Sequence, residues 1–162
     1  MSELIKICFV CHGNIIRSPL AENLFRNLVE TTGVADKYVI DSAGVDSWHV
    51  GEKPDRRMRR VSASHGFNYS GSARQFLKSD LDLFDLIIAM DSSNRRALMS
   101  LAEKPEQSEK IFLLRKFDPL GGPDLPVPDP YYGGIDGFED VYRIIVRSCQ
   151  GLLDYFDDNM KR

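Results

Sequence analysis

Leu4-Ile5-Lys6-Ile7-Cys8-Phe9-Val10-Cys11-His12-Gly13-Asn14-Ile15-Ile16-Arg17-Ser18-Pro19 runs from a short apolar stretch through a turn into a helical pattern, and the rest of the chain repeats that order. Leu4 to Val10, interrupted only by Lys6, has the length and composition of a buried parallel strand. Beyond the turn, Leu20, Leu24, Phe25 and Leu28 recur at helical spacing between Pro19 and Val29. Ser18 followed by Pro19 reads as a helix N-cap with proline at the first helical position.

Further apolar runs at Tyr38–Ile40, Leu83–Met90 and Lys110–Leu114 read as strands, and Ser92–Leu101 and Gly137–Phe156 as helices. The last helix carries Val141, Ile144, Ile145, Cys149, Leu152 and Leu153 on one stripe. Such alternation implies right-handed crossovers and an α/β fold: a doubly wound, flavodoxin-like open parallel sheet of about four strands, with helices on both faces. Between the last strand and the last helix, Asp118 to Asp136 crowds glycine, proline and aspartate into a loop, and loops of that length usually serve a site.

With 162 residues and 43% hydrophobic composition, the chain suits one domain over 1–162 with a single core. A net charge of -3 argues against a nucleic-acid binder, so any anion site has to be local. No apolar run is long enough for a signal peptide or a membrane span. Three cysteines are too few, and an odd number, for a disulfide framework, which suits a reducing, cytoplasmic setting.

Chemistry concentrates between the first strand and first helix. Ligands in open α/β sheets bind beyond the carboxyl ends of strands, where free amides at a helix start attract anions. Gly13 and Asn14 permit the twist that turns successive amides inward. Five residues between Cys11 and Arg17 suffice to wrap one tetrahedral oxyanion, with both side chains meeting at its centre. Amide dipoles and a guanidinium favour a cysteine thiolate, the nucleophilic form. Arg17 offers a planar fork for two phosphoryl oxygens, a geometry lysine cannot copy. Ser18 can cap the helix, donate toward the sulfur, or do both.

The segment Cys11 to Pro19 resembles the phosphate-binding loop of the low-molecular-weight protein tyrosine phosphatases. Asp129-Pro130-Tyr131-Tyr132-Gly133 is similar to the loop carrying that family's general acid. Asp41-Ser42-Ala43-Gly44, Trp48-His49-Val50-Gly51, Ala73-Arg74-Gln75 and Met90-Asp91-Ser92-Ser93-Asn94 match in the same order.

The resemblance implies hydrolysis of phosphotyrosine, on tyrosine-phosphorylated proteins, through a phosphocysteine on Cys11. Arg17 and the loop residues His12, Gly13, Asn14, Ile15, Ile16 and Ser18 would hold the phosphate, and Asp129 would act as acid and then base. Trp48, Tyr131 and Tyr132 resemble the aromatic wall of the substrate slot, although Trp48 also suits a core. Asn14 and Ser42 match positions that brace the loop, and Asp91 lies in another matching segment. The mechanism requires no metal or other cofactor, and a monomer or weak homodimer is expected.

Two departures stand out. Ile16 occupies the place of the family's usual second loop cysteine, the partner that captures the oxidised nucleophile as a disulfide. Gly71 stands where many relatives carry a histidine supporting the loop asparagine. His12 replaces a commonly apolar residue and lines the rim or tunes substrate choice.

Other readings compete. Cys8 and Cys11 spell Cys-x-x-Cys, but residues three apart on a strand face opposite sides, and no second pair has zinc-ligand spacing. Cys8 and Cys149 read as core thiols. Thioredoxin-coupled arsenate reductases use a similar loop but need mid-chain cysteines, and none lies between Cys11 and Cys149. Phosphoarginine phosphatases tend to have threonine where this loop has Ile15. A non-catalytic phosphotyrosine-binding module would not need Cys11, Arg17 and Asp129 together, and a Walker loop would end in Gly-Lys-Ser/Thr. Arg56, Arg57, Arg59 and Arg60 read as a solvated helical face.

Overall fold

A computed structural model describes residues 4–160. Four strands, β1 (Ile5–Cys11), β2 (Tyr38–Gly44), β3 (Leu86–Ala89) and β4 (Ile111–Leu113), pair in parallel in the order β2-β1-β3-β4. Among the described residues six α-helices accompany them: α1 (Arg17–Thr31), α2 (Arg56–Ser64), α3 (Asp80–Leu83), α4 (Ser92–Leu101), α5 (Pro105–Ser108) and α6 (Ile135–Met160). The open, all-parallel α/β sheet agrees with the alternation in the sequence.

Strand β1 is central and buried on both faces. Its Ile7, Phe9 and Cys11 enter one core with Leu20, Leu24 and Phe25 of α1 and Ile145, Cys149 and Leu152 of α6. Cys8 and Val10 enter the other, with Leu81 of α3 and Leu98 of α4. Cys8 and Cys11 therefore face opposite sides of the sheet, which removes the Cys-x-x-Cys reading.

Several boundaries differ from expectation, each for a local reason. Strand β2 continues past Ile40 to Gly44 because its polar side chains have partners: Asp41 pairs with Arg74, and Ser42 bonds to Glu22 and Asn14. Leu83 belongs to α3 rather than to β3, and the carboxylate of Asp85 receives the Lys6 amide before the strand begins. Helix α1 starts at Arg17, with Ile16 at the N-cap and no side-chain cap bond. Ser18 is thus not the cap. Its hydroxyl is used inside the loop between β1 and α1.

Helix α6 crosses tightly over the turn after β4. A Cβ on Gly151 would lie 1.8 Å from the Phe117 carbonyl oxygen and 2.9 Å from its carbon. Alanine would gain about 1 kcal/mol in helix propensity, but backbone cannot yield as a side chain can. Gly151→Ala is therefore expected to lower stability by about 1–3 kcal/mol, as overpacking does, read as a lower urea midpoint. A raised midpoint would show that the helix does not sit this close.

Candidate active site

The chain passes from β1 to β2 on one side and then crosses back from β2 to β3 on the other, so the sheet has its switch point at the carboxyl end of β1. Crevices form there, and Cys11 is the last residue of that strand. The following loop is tied to the end of β2: Val45 N–H donates to Cys11 O at 3.0 Å, and Asp46 N–H to His12 O at 2.9 Å. The crossing is tight at Gly44, where a Cβ would meet the Gly13 carbonyl carbon at 2.9 Å and Asn14 N at 3.0 Å. A side chain there would push the loop away.

Asn14 adopts a left-handed backbone, φ 58°, which asparagine tolerates better than most residues. Its side chain then organises the loop from beneath. Nδ2 donates to Ser18 Oγ at 2.8 Å and Ser42 Oγ at 2.9 Å, while Oδ1 accepts the Arg74 amide at 2.9 Å. Ser42 in turn donates to Glu22 Oε1 at 2.5 Å. Because Ser18 Oγ accepts from Asn14, its own proton is free for Cys11 Sγ, 3.0 Å away, or for Ala43 O at 3.4 Å.

Arg17 is 2% exposed and is the bulkiest of the fully buried side chains. A buried guanidinium needs fixed partners. Nη1 donates to Asp91 Oδ2 at 2.7 Å and to Val127 O at 2.8 Å. Asp91 divides its work, since Oδ1 caps α4 by accepting from Asn94 N–H at 2.8 Å. Nη2 faces Asp129 Oδ2 at 3.6 Å. Among the described residues, neither Nη2 nor Nε has a hydrogen-bond acceptor, which leaves that edge of the fork for an oxyanion.

Asp129 is positioned by its own loop. Val127 N–H bonds to Met90 O at 2.8 Å at the end of β3, and Asp129 Oδ1 accepts Tyr131 N–H at 3.1 Å. Tyr131 is steadied by Arg57, which donates to its carbonyl at 2.9 Å and lies 5.3 Å from its ring centroid. Tyr132 packs edge-to-face on Tyr131, with centroids 4.8 Å apart.

These parts enclose a cleft of about 580 Å³, with Cys11 and Arg17 on its wall together with His12, Gly13, Ile15, Ile16, Asp91 and Asp129. Trp48, Tyr131 and Tyr132 complete its mouth. Asn14, Ser18 and Ser42 are buried behind the loop. Every site residue expected from the sequence is thus either in the cleft or bracing it. Trp48 is 79% exposed, which rules out the core placement, and His12 lies on the rim with Nε2 3.8 Å from Asp46 Oδ2.

Sequence reading assigned no role to Glu22, His49, Arg57 or Arg74. His49 packs over Gly13, where a Cβ would lie 2.8 Å from its Cδ2, and its Nδ1 lies 2.8 Å from Glu52 Oε2. His49 and Arg74 both lie in segments that match the family, but their spacing carries no sign of contacts with the loop. At Gly71 nothing reaches Asn14, and the Arg74 amide takes Asn14 Oδ1 instead. Arg57 and Arg59 are not simply solvated: Arg57 bonds to Asp55 and Tyr131, and Arg59 to Pro54 O. Cys149 is buried on α6, where its thiol approaches Ala21 O at 3.7 Å, and burial raises its pKa.

Residues 6–162 match the model of the low molecular weight phosphotyrosine protein phosphatase family. The chain belongs to that family. Among the relatives of this low molecular weight phosphatase is a low molecular weight protein-tyrosine-phosphatase of Streptomyces coelicolor, 46% identical over 149 residues and 91% of both chains. A protein tyrosine phosphatase from Entamoeba histolytica has a similar structure, with a TM-score of 0.89, 36% identity, and coverage of 96% of this chain and 99% of that one. An arginine phosphatase from Drosophila is also similar, with a TM-score of 0.83, 34% identity, and coverage of 94% and 98%. Fold similarity therefore does not by itself choose the phosphorylated side chain. Members of this phosphatase family are cysteine-based hydrolases, and a cleft with a cysteine and a buried arginine on its wall suits that chemistry.

Proposed function

We propose that this chain, acting as one phosphatase domain, hydrolyses phosphotyrosine on proteins through a phosphocysteine at Cys11. The observation that carries the reading is the convergence of the Cys11 sulfur, the open edge of the Arg17 fork and the Asp129 carboxyl on one cleft. The sulfur attacks phosphorus in line while the tyrosine oxygen departs on the opposite side. Arg17 and the loop amides take the charge on the three nonbridging oxygens. Asp129 gives its proton to the departing phenolate, then accepts one from the water that splits the sulfur–phosphorus bond. Ser18 donates to the sulfur when it carries negative charge.

Ile15 and the Tyr131–Tyr132 pair give the slot apolar and aromatic walls, which suit a phenyl ring better than a guanidinium. The purified protein is therefore expected to release phosphate from a phosphotyrosine peptide much faster than from its phosphoarginine counterpart. The reverse preference would overturn the substrate reading.

Arg17→Lys provides a separate check. Lysine has one ammonium to serve Asp91, Val127 and the phosphate, where arginine has two edges. Losing a charged hydrogen bond costs about 1.5–3 kcal/mol, or roughly 10- to 150-fold in kcat/KM. Kinetics near wild type would remove Arg17 from phosphate binding.

A further inference from the structure

Next to the active-site cleft lies a second groove of about 460 Å³ that shares Ile15, His49 and Tyr131 with it. Four cations reach this groove, Lys53, Arg56, Arg57 and Arg59, against two carboxylates, Glu52 and Asp55.

Both carboxylates are already engaged. Glu52 accepts from His49, and Asp55 is bound by Arg57 at 3.0 Å while capping the start of α2. Burial works against the Asp55 charge, but hydrogen bonds from the Arg57 side chain and backbone hold its carboxyl below the ordinary range, so it stays an anion with its partner attached. Lys53, Arg56 and Arg59 are left with no carboxylate among the described residues, where the only side-chain hydrogen bond from Arg59 goes to the Pro54 carbonyl. Arg56 and Arg59 are three apart on α2, so their side chains rise from one face of the helix. A chain of net charge -3 thus concentrates uncompensated positive charge beside its active site.

We propose that this groove binds an anionic side chain, carboxylate or phosphate, from the same protein substrate, so that phosphotyrosines with an acidic neighbour are preferred. The inference rests on the phosphotyrosine reading above and names the substrate class within it. An extended peptide advances about 3.3 Å per residue, so a segment leaving the slot across Ile15 and Tyr131 brings a near neighbour over Lys53 and Arg56. Tyr131, held by Arg57, forms the divide between the two anions.

The test has a binding arm and a turnover arm. In the first, the Cys11→Ser protein is titrated with fluorescent phosphotyrosine peptides in which one glutamate is walked along either side of the phosphotyrosine. A glutamine twin is included for each register. At one register, glutamate is expected to bind about five- to tenfold more tightly than glutamine at low salt, with the gap shrinking at high salt. Adding Lys53→Gln and Arg56→Gln should narrow the gap to what Arg59 alone sustains. In the second arm, the same two substitutions with Cys11 intact should leave para-nitrophenyl phosphate hydrolysis unchanged, since neither side chain lines the active-site cleft.

Equal binding of glutamate and glutamine peptides at every register would overturn the proposal, as would a gap undiminished by both substitutions. Replacing the favoured glutamate by phosphoserine identifies the anion: a further gain assigns a phosphate, and no gain assigns a carboxylate. Absence of para-nitrophenyl phosphate turnover in the wild type would count against the phosphatase reading, while the binding arm would still decide the groove.

Discussion

Cys11→Ser is expected to reduce turnover of para-nitrophenyl phosphate and phosphotyrosine peptides to background while leaving phosphopeptide binding in place. A serine hydroxyl is hardly ionised at neutral pH and has no adjacent base to activate it. The hydrogen-bond partner of the sulfur among the described residues, Ser18 Oγ at 3.0 Å, is a hydroxyl already receiving a hydrogen bond from Asn14. Binding should survive because the oxyanion contacts come from the loop amides and from the open edge of Arg17, which is anchored independently through Asp91 and Val127. Rapid quenching with labelled substrate should trap phosphorus on the wild-type sulfur and none on the variant. Measurable steady turnover by the serine protein, or label on a different residue, would end the phosphocysteine mechanism.

Much of the site was legible because local rules and tertiary position coincide there. Cys11 and Arg17 lie in one short segment between a strand and a helix, and the sheet order places that segment at the switch point. Asp129 was legible only through the resemblance of its loop, since nothing local distinguishes it from a turn aspartate. The misread features share a cause. Ser18 has the composition of a helix cap, but its hydroxyl is drawn into the loop by Asn14 and the sulfur, leaving Ile16 at the cap position. Likewise, apolar patterning ended β2 at Ile40, whereas backbone pairing runs on to Gly44 because Asp41 and Ser42 find polar partners contributed by Arg74, Glu22 and Asn14. Such partners are far apart in sequence, and periodicity carries no trace of them. For the same reason, Arg57 reads from sequence as part of a solvated face, whereas the fold sets it against Tyr131, while Arg56 and Arg60 of the same helix are exposed as expected.

Asp129→Asn should separate the two chemical steps. Asparagine keeps an oxygen able to accept the Tyr131 amide, as Asp129 Oδ1 does at 3.1 Å, so the loop should hold its shape. What is lost is the proton. With phosphotyrosine, whose phenolate leaves poorly, kcat/KM is expected to fall about 10²–10⁴-fold, the usual contribution of a general acid. With dinitrophenyl phosphate, whose leaving group needs no proton, kcat/KM should change little because formation of the phosphocysteine no longer depends on residue 129. Its kcat should still fall, since the water that splits the sulfur–phosphorus bond has lost its base, and a burst of dinitrophenol should precede the slow steady state. A plot of log kcat/KM against leaving-group pKa would accordingly be steeper for the variant than for the wild type. Parallel lines would mean that Asp129 helps all leaving groups alike, through its 3.6 Å approach to Arg17 rather than by proton transfer.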